Sequence, residues 1–351
     1  MKNPTLLIIA LFFLAIVLIP VTTTIKMILI VLFFIVFLYL KRGYFYVVFA
    51  SAALKGKNPD QQKAWRLYEK GAFCPLPAQY AIMIGNLFVQ KGDAAVALRI
   101  YDFIIEKELK KNKPLQTVID SANTSRSMAL WVLQRKEEAV HLLQSLWDEG
   151  KLDKNLAVNL GTFLLDVGEL ERAKQLIEES EKELAETPGM IDNRGYWLYL
   201  SGSYANAYAL YHRLLIDEGP QFPEAYYHGA LVAIALEKFA MATKYLEQGL
   251  GKTFYQTSTV TVEQMEQLLK EIDGKIDSDG DVIDHELVSS LYDEDLFEDE
   301  LPNTDLDEDD LGEHSIELSE EDYWEQEDQP IAQMSIESVL FDEEYLDDED
   351  H

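Results

Sequence analysis

Residues 160–177 read LGTFLLDVGELERAKQLI, and the pattern they hold returns at a fixed interval. Leu160-Gly161, Arg194-Gly195 and His228-Gly229 stand 34 residues apart, within a stretch from about Lys154 to Leu250. An apolar residue follows each glycine three positions later (Leu164, Leu198, Val232). Small and bulky residues then mark a second helix: Ala173 with Ile177, Ala207 with Tyr211, Ala242 with Leu246. A unit of this length is one helical hairpin. Alone it cannot bury its apolar face, so neighbours must stack into a continuous core.

The pattern extends toward the amino terminus. Ile84, Gly85, Phe88, Gly92, Ala97, Tyr101 and Ile104 form a full set. Leu130, Ala139, Leu143 and Leu146 form a weaker one, in which Ser127 replaces the first glycine and the spacing from Gly85 stretches to 42, placing an insertion around residues 107–115. Residues 60–73, DQQKAWRLYEKGAF, set Ala64, Tyr68 and Gly71 on one helical face and read as a second helix whose partner is Phe45 to Leu54. In later repeats Gly168, Leu170, Gly202, Tyr204 and Phe239 complete the register.

This set of residues resembles the tetratricopeptide repeat family over residues 45–255. The resemblance implies an all-α helical-hairpin solenoid without catalytic activity, a scaffold whose inner groove, lined by first helices, holds a peptide or helix of another protein. It assigns Asn86, Gln90, Trp131, Asn155, Thr162, Tyr196, Tyr199 and Tyr226 to that groove. Amides and aromatic rings can bond an extended backbone and pack its side chains. The competing reading makes the tyrosines from Tyr196 to Tyr227 inter-repeat packing. Family members that grip acidic carboxyl-terminal peptides use groove lysines and arginines; none stands at these positions here, which argues against a carboxylate clamp.

At the amino terminus two apolar runs precede the repeats. Thr5 to Ile25 carries no charge, and Met27 to Leu40 is bracketed by Lys26 and by Lys41-Arg42. They predict a two-helix membrane anchor turning around Pro20 to Thr24. Lys2, Lys41, Arg42, Lys55 and Lys57 on the flanks, against one lysine in the turn, place both flanks in the cytoplasm. The protein then reads as a multi-pass protein of the cell membrane, bacterial in the compactness of its anchor, with its repeats and tail in the cytoplasm. A cleaved signal peptide is the alternative for the first run.

Charge divides the chain again. From Asp273 to the end, 33 acidic residues face the single Lys275, whereas residues 1–272 carry 29 of each sign. Such a segment repels itself and predicts a disordered acidic tail. Its apolar groups, among them Tyr323-Trp324 and Val339-Leu340-Phe341, suit docking to a basic protein, and a solubilising spacer is the alternative. Nucleic acid is not expected as a partner, because no basic stripe exists. Asp277, Asp279, Gly280 and Glu286 match part of a calcium loop, but Lys275 occupies its first ligand position, so no metal is assigned there. Phosphate loops, HExxH and GxSxG are absent, six histidines are scattered, and Cys74 stands alone, so neither enzyme nor cofactor is expected.

The expected plan is thus an anchor over residues 1–43, a partial repeat over 44–77, the main array over 78–255, a capping helix over 256–272 and the tail over 273–351. Function follows as a membrane-anchored scaffold at the cytoplasmic face, or alternatively a regulator acting through its tail.

Overall fold

The computed structural model describes residues 20–55, 58–151, 153–184, 187–216 and 219–275, together with Ile16 and Leu18. All regular structure among them is α-helix. By internal packing the chain divides after Arg135, and the two parts are taken in turn.

The amino-terminal part opens with α1 (Thr23–Leu40), 18 residues of mean hydropathy 2.5 with none buried. At about 1.5 Å per residue it is about 27 Å long, close to the hydrocarbon thickness of a bilayer. It begins four residues before the second apolar run, because Thr23 to Lys26 join the helix instead of forming a turn. This is the one helix among the described residues long and apolar enough to cross a membrane. One candidate span of the expected pair is therefore described, and residues 5–15, 17 and 19 of the first run lie outside the described residues.

Only Lys41 separates α1 from α2 (Arg42–Leu54), and its backbone N–H still donates to Phe37 O at 2.9 Å. Helix α2 packs on α3 (Gln61–Ala72), burying Tyr44, Val47 and Ala50 against Ala64, Tyr68 and Ala72, with Ser51 Oγ 3.0 Å from Tyr68 OH. Gly71 lets the two backbones meet: a Cβ there would lie 3.3 Å from Gly43 O. Next come α4 (Ala78–Lys91), α5 (Ala94–Leu109) and α6 (Gln116–Val132), each packed on the one before. Asp60 caps α3 through Lys63 N and Asp93 caps α5 through Ala95 N, both at 2.9 Å.

The second part holds α7 (Lys136–Asp148), α8 (Lys154–Asp166), α9 (Leu170–Leu184), α10 (Pro188–Leu200), α11 (Tyr204–Ile216), α12 (Glu224–Ala235), α13 (Phe239–Leu250) and α14 (Val262–Ile272). Three hairpins, α8–α9, α10–α11 and α12–α13, stack so that their first helices α8, α10 and α12 lie side by side. Helix α14 covers α13, placing Met265 and Ile272 in the core with Tyr245 and Leu246. Thr261 and Gln264 form a reciprocal capping box at its start.

One turn recurs where first helices end. Gln134, Gly168, Gly202 and Glu237 all have positive φ, at 61°, 79°, 82° and 56°. The residue after each donates its N–H to a carbonyl five positions back: Leu130, Leu164, Leu198 and Ala233. This is the Schellman closure, which favours glycine. A side chain there is strained, so Gln134→Gly and Glu237→Gly are each expected to stabilise the chain by about 0.5–1 kcal/mol after the added entropy of glycine is counted. Denaturant unfolding of the two variants measures it.

Charge is unevenly shared between the parts. Residues 1–135 contain 17 basic and 7 acidic residues, while residues 136–275 contain 13 basic and 23 acidic. The neutrality of the repeat-bearing body is a sum of opposites.

Candidate partner-binding site

The site is built on the faces of α8, α10 and α12. Between α8 and α10, Asn193 Nδ2 donates to Val158 O at 2.9 Å, and its Oδ1 lies 2.9 Å from Thr162 Oγ1. Gly161 opens the space, since a Cβ there would come within 2.5 Å of Asn193 Nδ2. Thr162 is therefore engaged in joining two helices.

Between α10 and α12 the joint is a carboxylate. Asp192, 5% exposed, accepts from Tyr211 OH at 2.9 Å and lies 3.0 Å from His228 Nδ1. Burial, with the Asp192 charge beside it, holds the Tyr211 hydroxyl well above its ordinary pKa, so it keeps its proton and donates. Three helices, α10, α11 and α12, meet at this one side chain.

Over that joint runs a ladder of rings. His228 stacks under Tyr196 with centroids 3.8 Å apart and planes 8° from parallel. Tyr196 neighbours Tyr199 at 6.1 Å, Tyr199 neighbours Tyr204 at 5.6 Å, and Tyr227 stands edge-on to His228 at 6.1 Å. Tyr204 is exposed and Tyr196, Tyr199 and Tyr227 are half-buried. Burial raises the hydroxyl pKa of Tyr196, Tyr199 and Tyr227, with neighbouring tyrosines adding to it at Tyr196 and Tyr199 and Glu271 adding to it at Tyr227, so the face is made of neutral rings. Beyond Tyr227 lies a cleft of about 410 Å³ lined by Glu263, Gln264, Gln267, Leu268 and Glu271 of α14.

The eight residues assigned from sequence separate into groups. Tyr196 and Tyr199 form the centre of the ladder. Asn155 is exposed at the start of α8, and Thr162 is held as above. In the amino-terminal part, Gln90 is half-buried and Asn86 accepts from Tyr101 OH at 2.7 Å. Trp131 and Tyr226 do not line a surface: they are 5% and 2% exposed. The reason is periodic. The position four after the repeat glycine is buried in α4 (Val89), α8 (Leu165) and α12 (Ala233), and Trp131 stands there relative to Ser127; only Tyr199 in α10 reaches out. The position three before the glycine is inside at both Asp192 and Tyr226. Tyr227, His228 and Tyr204 were missed, and for Tyr204 the signal was its place at the turn beside Tyr199.

Glu224 closes the base of α12, its Oε1 accepting from Thr259 N at 2.9 Å. Burial raises its pKa above the ordinary carboxylate value, outweighing its hydrogen bonds. For an acid raised on folding, the stabilising share is complete below the unfolded pKa and is lost as pH rises through the folded one. Glu224→Gln keeps the acceptor oxygen and removes the charge. It is expected to flatten the decline in stability between the ordinary carboxylate range and neutrality, as denaturant midpoints across that interval will read.

Among the described residues no group of three or more His, Cys, Asp or Glu is placed to hold a metal ion. Of the partial calcium loop only Lys275 is described, its ammonium 5.3 Å from the Phe239 ring centre. Asp277, Asp279, Glu286 and the rest of the acidic tail after Lys275 lie outside the described residues.

Stacked hairpins with a polar and aromatic face on their first helices are the class of structure observed. No protein-family model matches the chain. No curated protein matches it either. Among solved structures it is similar to the crystal structure of a tetratricopeptide repeat protein from Parabacteroides merdae, with a TM-score of 0.46 and 13% identity, over 60% of this chain and 77% of that one.

Proposed function

We propose that the protein is a tetratricopeptide-type scaffold, held at a membrane by α1, that captures a segment of another protein on the face of α8, α10 and α12. The observation that carries this is the ring ladder from Tyr204 to Tyr227: large aromatics, three of them half-buried tyrosines backed by a fixed carboxylate joint, offer contact area at small entropic cost. Lys41, Arg42 and Lys55 after α1, against Lys26 near its start, support a cytoplasmic array.

A photo-crosslinking amino acid at Tyr199, in the ladder, and another at Lys244, exposed on α13, test the reading in intact cells. Protein adducts are expected at position 199 and not at 244, in material that stays with membranes after an alkaline wash and is released when residues 23–40 are deleted. Equal labelling at both positions refutes the face, and release of the intact chain by the wash refutes the anchor. If position 199 gives no adduct and a partner captured by the full-length protein is lost on removal of the residues after 275, the acidic tail is the recognition element.

A further inference from the structure

Four rings of this part outside the ladder carry a lysine. Lys174 lies 5.8 Å from the Trp197 ring centre, Lys238 5.4 Å from Tyr208, Lys252 5.0 Å from Tyr226 and Lys275 5.3 Å from Phe239. Among the described residues no lysine or arginine covers Tyr196, Tyr199, Tyr204 or Tyr227. The charged neighbours of the ladder are acidic instead. Asp166 and Asp192 act on Tyr196 and Glu271 acts on Tyr227, while Glu263 and Glu271 edge the cleft at its end. Asp166 is itself paired with Lys136 at 2.6 Å.

Spacing adds a second constraint. The tyrosine rings follow one another at 5.6 and 6.1 Å. Alternate side chains of an extended peptide project to one side about 6.7 Å apart. Cations at every second residue of a strand therefore match the step of the Tyr204, Tyr199 and Tyr196 rings, of which Tyr196 has one face under His228, and the Glu263–Glu271 cleft lies beside Tyr227.

We propose that the segment captured by the ladder is a basic, extended peptide of a partner protein, arginine-bearing at alternate positions, held by cation–π contact with Tyr196, Tyr199, Tyr204 and Tyr227 and by the carboxylates of Glu263 and Glu271. This rests on the scaffold reading and specifies its ligand. Arginine suits the site better than lysine, because its planar guanidinium stacks on a ring and still forks onto a carboxylate. The net excess of acid in residues 136–275 favours encounter with such a segment.

The test uses the full-length protein in lipid nanodiscs and fluorescence anisotropy with three labelled peptides: alternating Arg-Ser, Leu-Ser and Glu-Ser. The acidic tail also attracts the first peptide, so the informative quantity is the difference between the parent and ladder variants that share the tail. Tyr196→Leu/Tyr199→Leu is expected to weaken Arg-Ser binding about 5- to 20-fold, and Tyr196→Phe/Tyr199→Phe less than about two-fold, since phenylalanine keeps the π face. Glu263→Gln/Glu271→Gln should weaken it about 2- to 5-fold and lower its salt dependence. Replacing arginine by neutral, isosteric citrulline should abolish the ladder-dependent share. Thermal melts confirm that each variant is folded, and the phenylalanine pair guards against a leucine pair that is not. Arg-Ser binding unchanged in the folded leucine variant overturns the inference. If Leu-Ser or Glu-Ser binds in a ladder-dependent way while Arg-Ser does not, the inference fails and the scaffold reading stands. If none of the three depends on the ladder, both fail.

Discussion

Asp192→Ala is expected to lower the stability of the part spanning residues 136–275 by about 1–3 kcal/mol. The carboxylate serves the Tyr211 hydroxyl and the His228 ring at 2.9 and 3.0 Å, and both partners are buried. Removing it leaves the buried His228 ring without its acceptor, at about 1–3 kcal/mol, while the Tyr211 hydroxyl keeps its second acceptor, the Asp192 backbone O at 3.0 Å. Asp192→Asn retains an acceptor and should cost less than half as much. The loss should also reach the surface. With Nδ1 of His228 no longer fixed, the ring beneath Tyr196 can turn, and the ladder loses its 3.8 Å stack. Denaturant unfolding gives the energy and ring-current shifts of Tyr196 give the geometry. A variant unfolding within about 0.5 kcal/mol of the parent would show the joint to be unimportant.

The second large effect is steric. A Cβ at Gly195 would lie 2.8 Å from Tyr211 Cε2, and one at Gly85 would lie 2.5 Å from Tyr101 Cε1. Tyr101 and Tyr211 are fully buried, each 16 residues beyond its glycine, on the second helix of the same hairpin. Neither ring can withdraw without moving a helix, so Gly85→Ala and Gly195→Ala should each cost about 1–3 kcal/mol, and more if the hairpin opens. Shrinking the partner tests the cause. Gly85→Ala combined with Tyr101→Leu should cost clearly less than the sum of the single changes. Simple additivity would mean that the clash is relieved some other way.

What the sequence displays depends on whether a residue's role is local or shared. Repeat glycines are legible because a side chain pressed on the backbone leaves one choice of residue, and 34-residue spacing repeats that choice at Gly161 against Asn193, Gly195 against Tyr211 and Gly229 against Leu215. Turn positions are half legible: Gly168 and Gly202 announce the left-handed residue, whereas Gln134 and Glu237 adopt the same geometry with side chains that give no sign of it. The site is less visible still. Its joint unites Asp192 with residues 19 and 36 positions away, a relation with no period. Tyr226 and Tyr227 differ by about 100° around α12, and that angle sends the first into the core and the second to the ladder. Trp131 is misplaced for a related reason, since a position that faces outward in α10 faces inward in α4, α6, α8 and α12.

The single residue between α1 and α2 carries a mechanical meaning. With Lys41 still bonded to Phe37 O, nothing there acts as a tether, so in the proposed role the amino-terminal hairpins are mounted on the bilayer with no slack. Tilting the anchor as the lipid thins or thickens would swing those hairpins with it, so the bilayer's own thickness becomes an input to the protein.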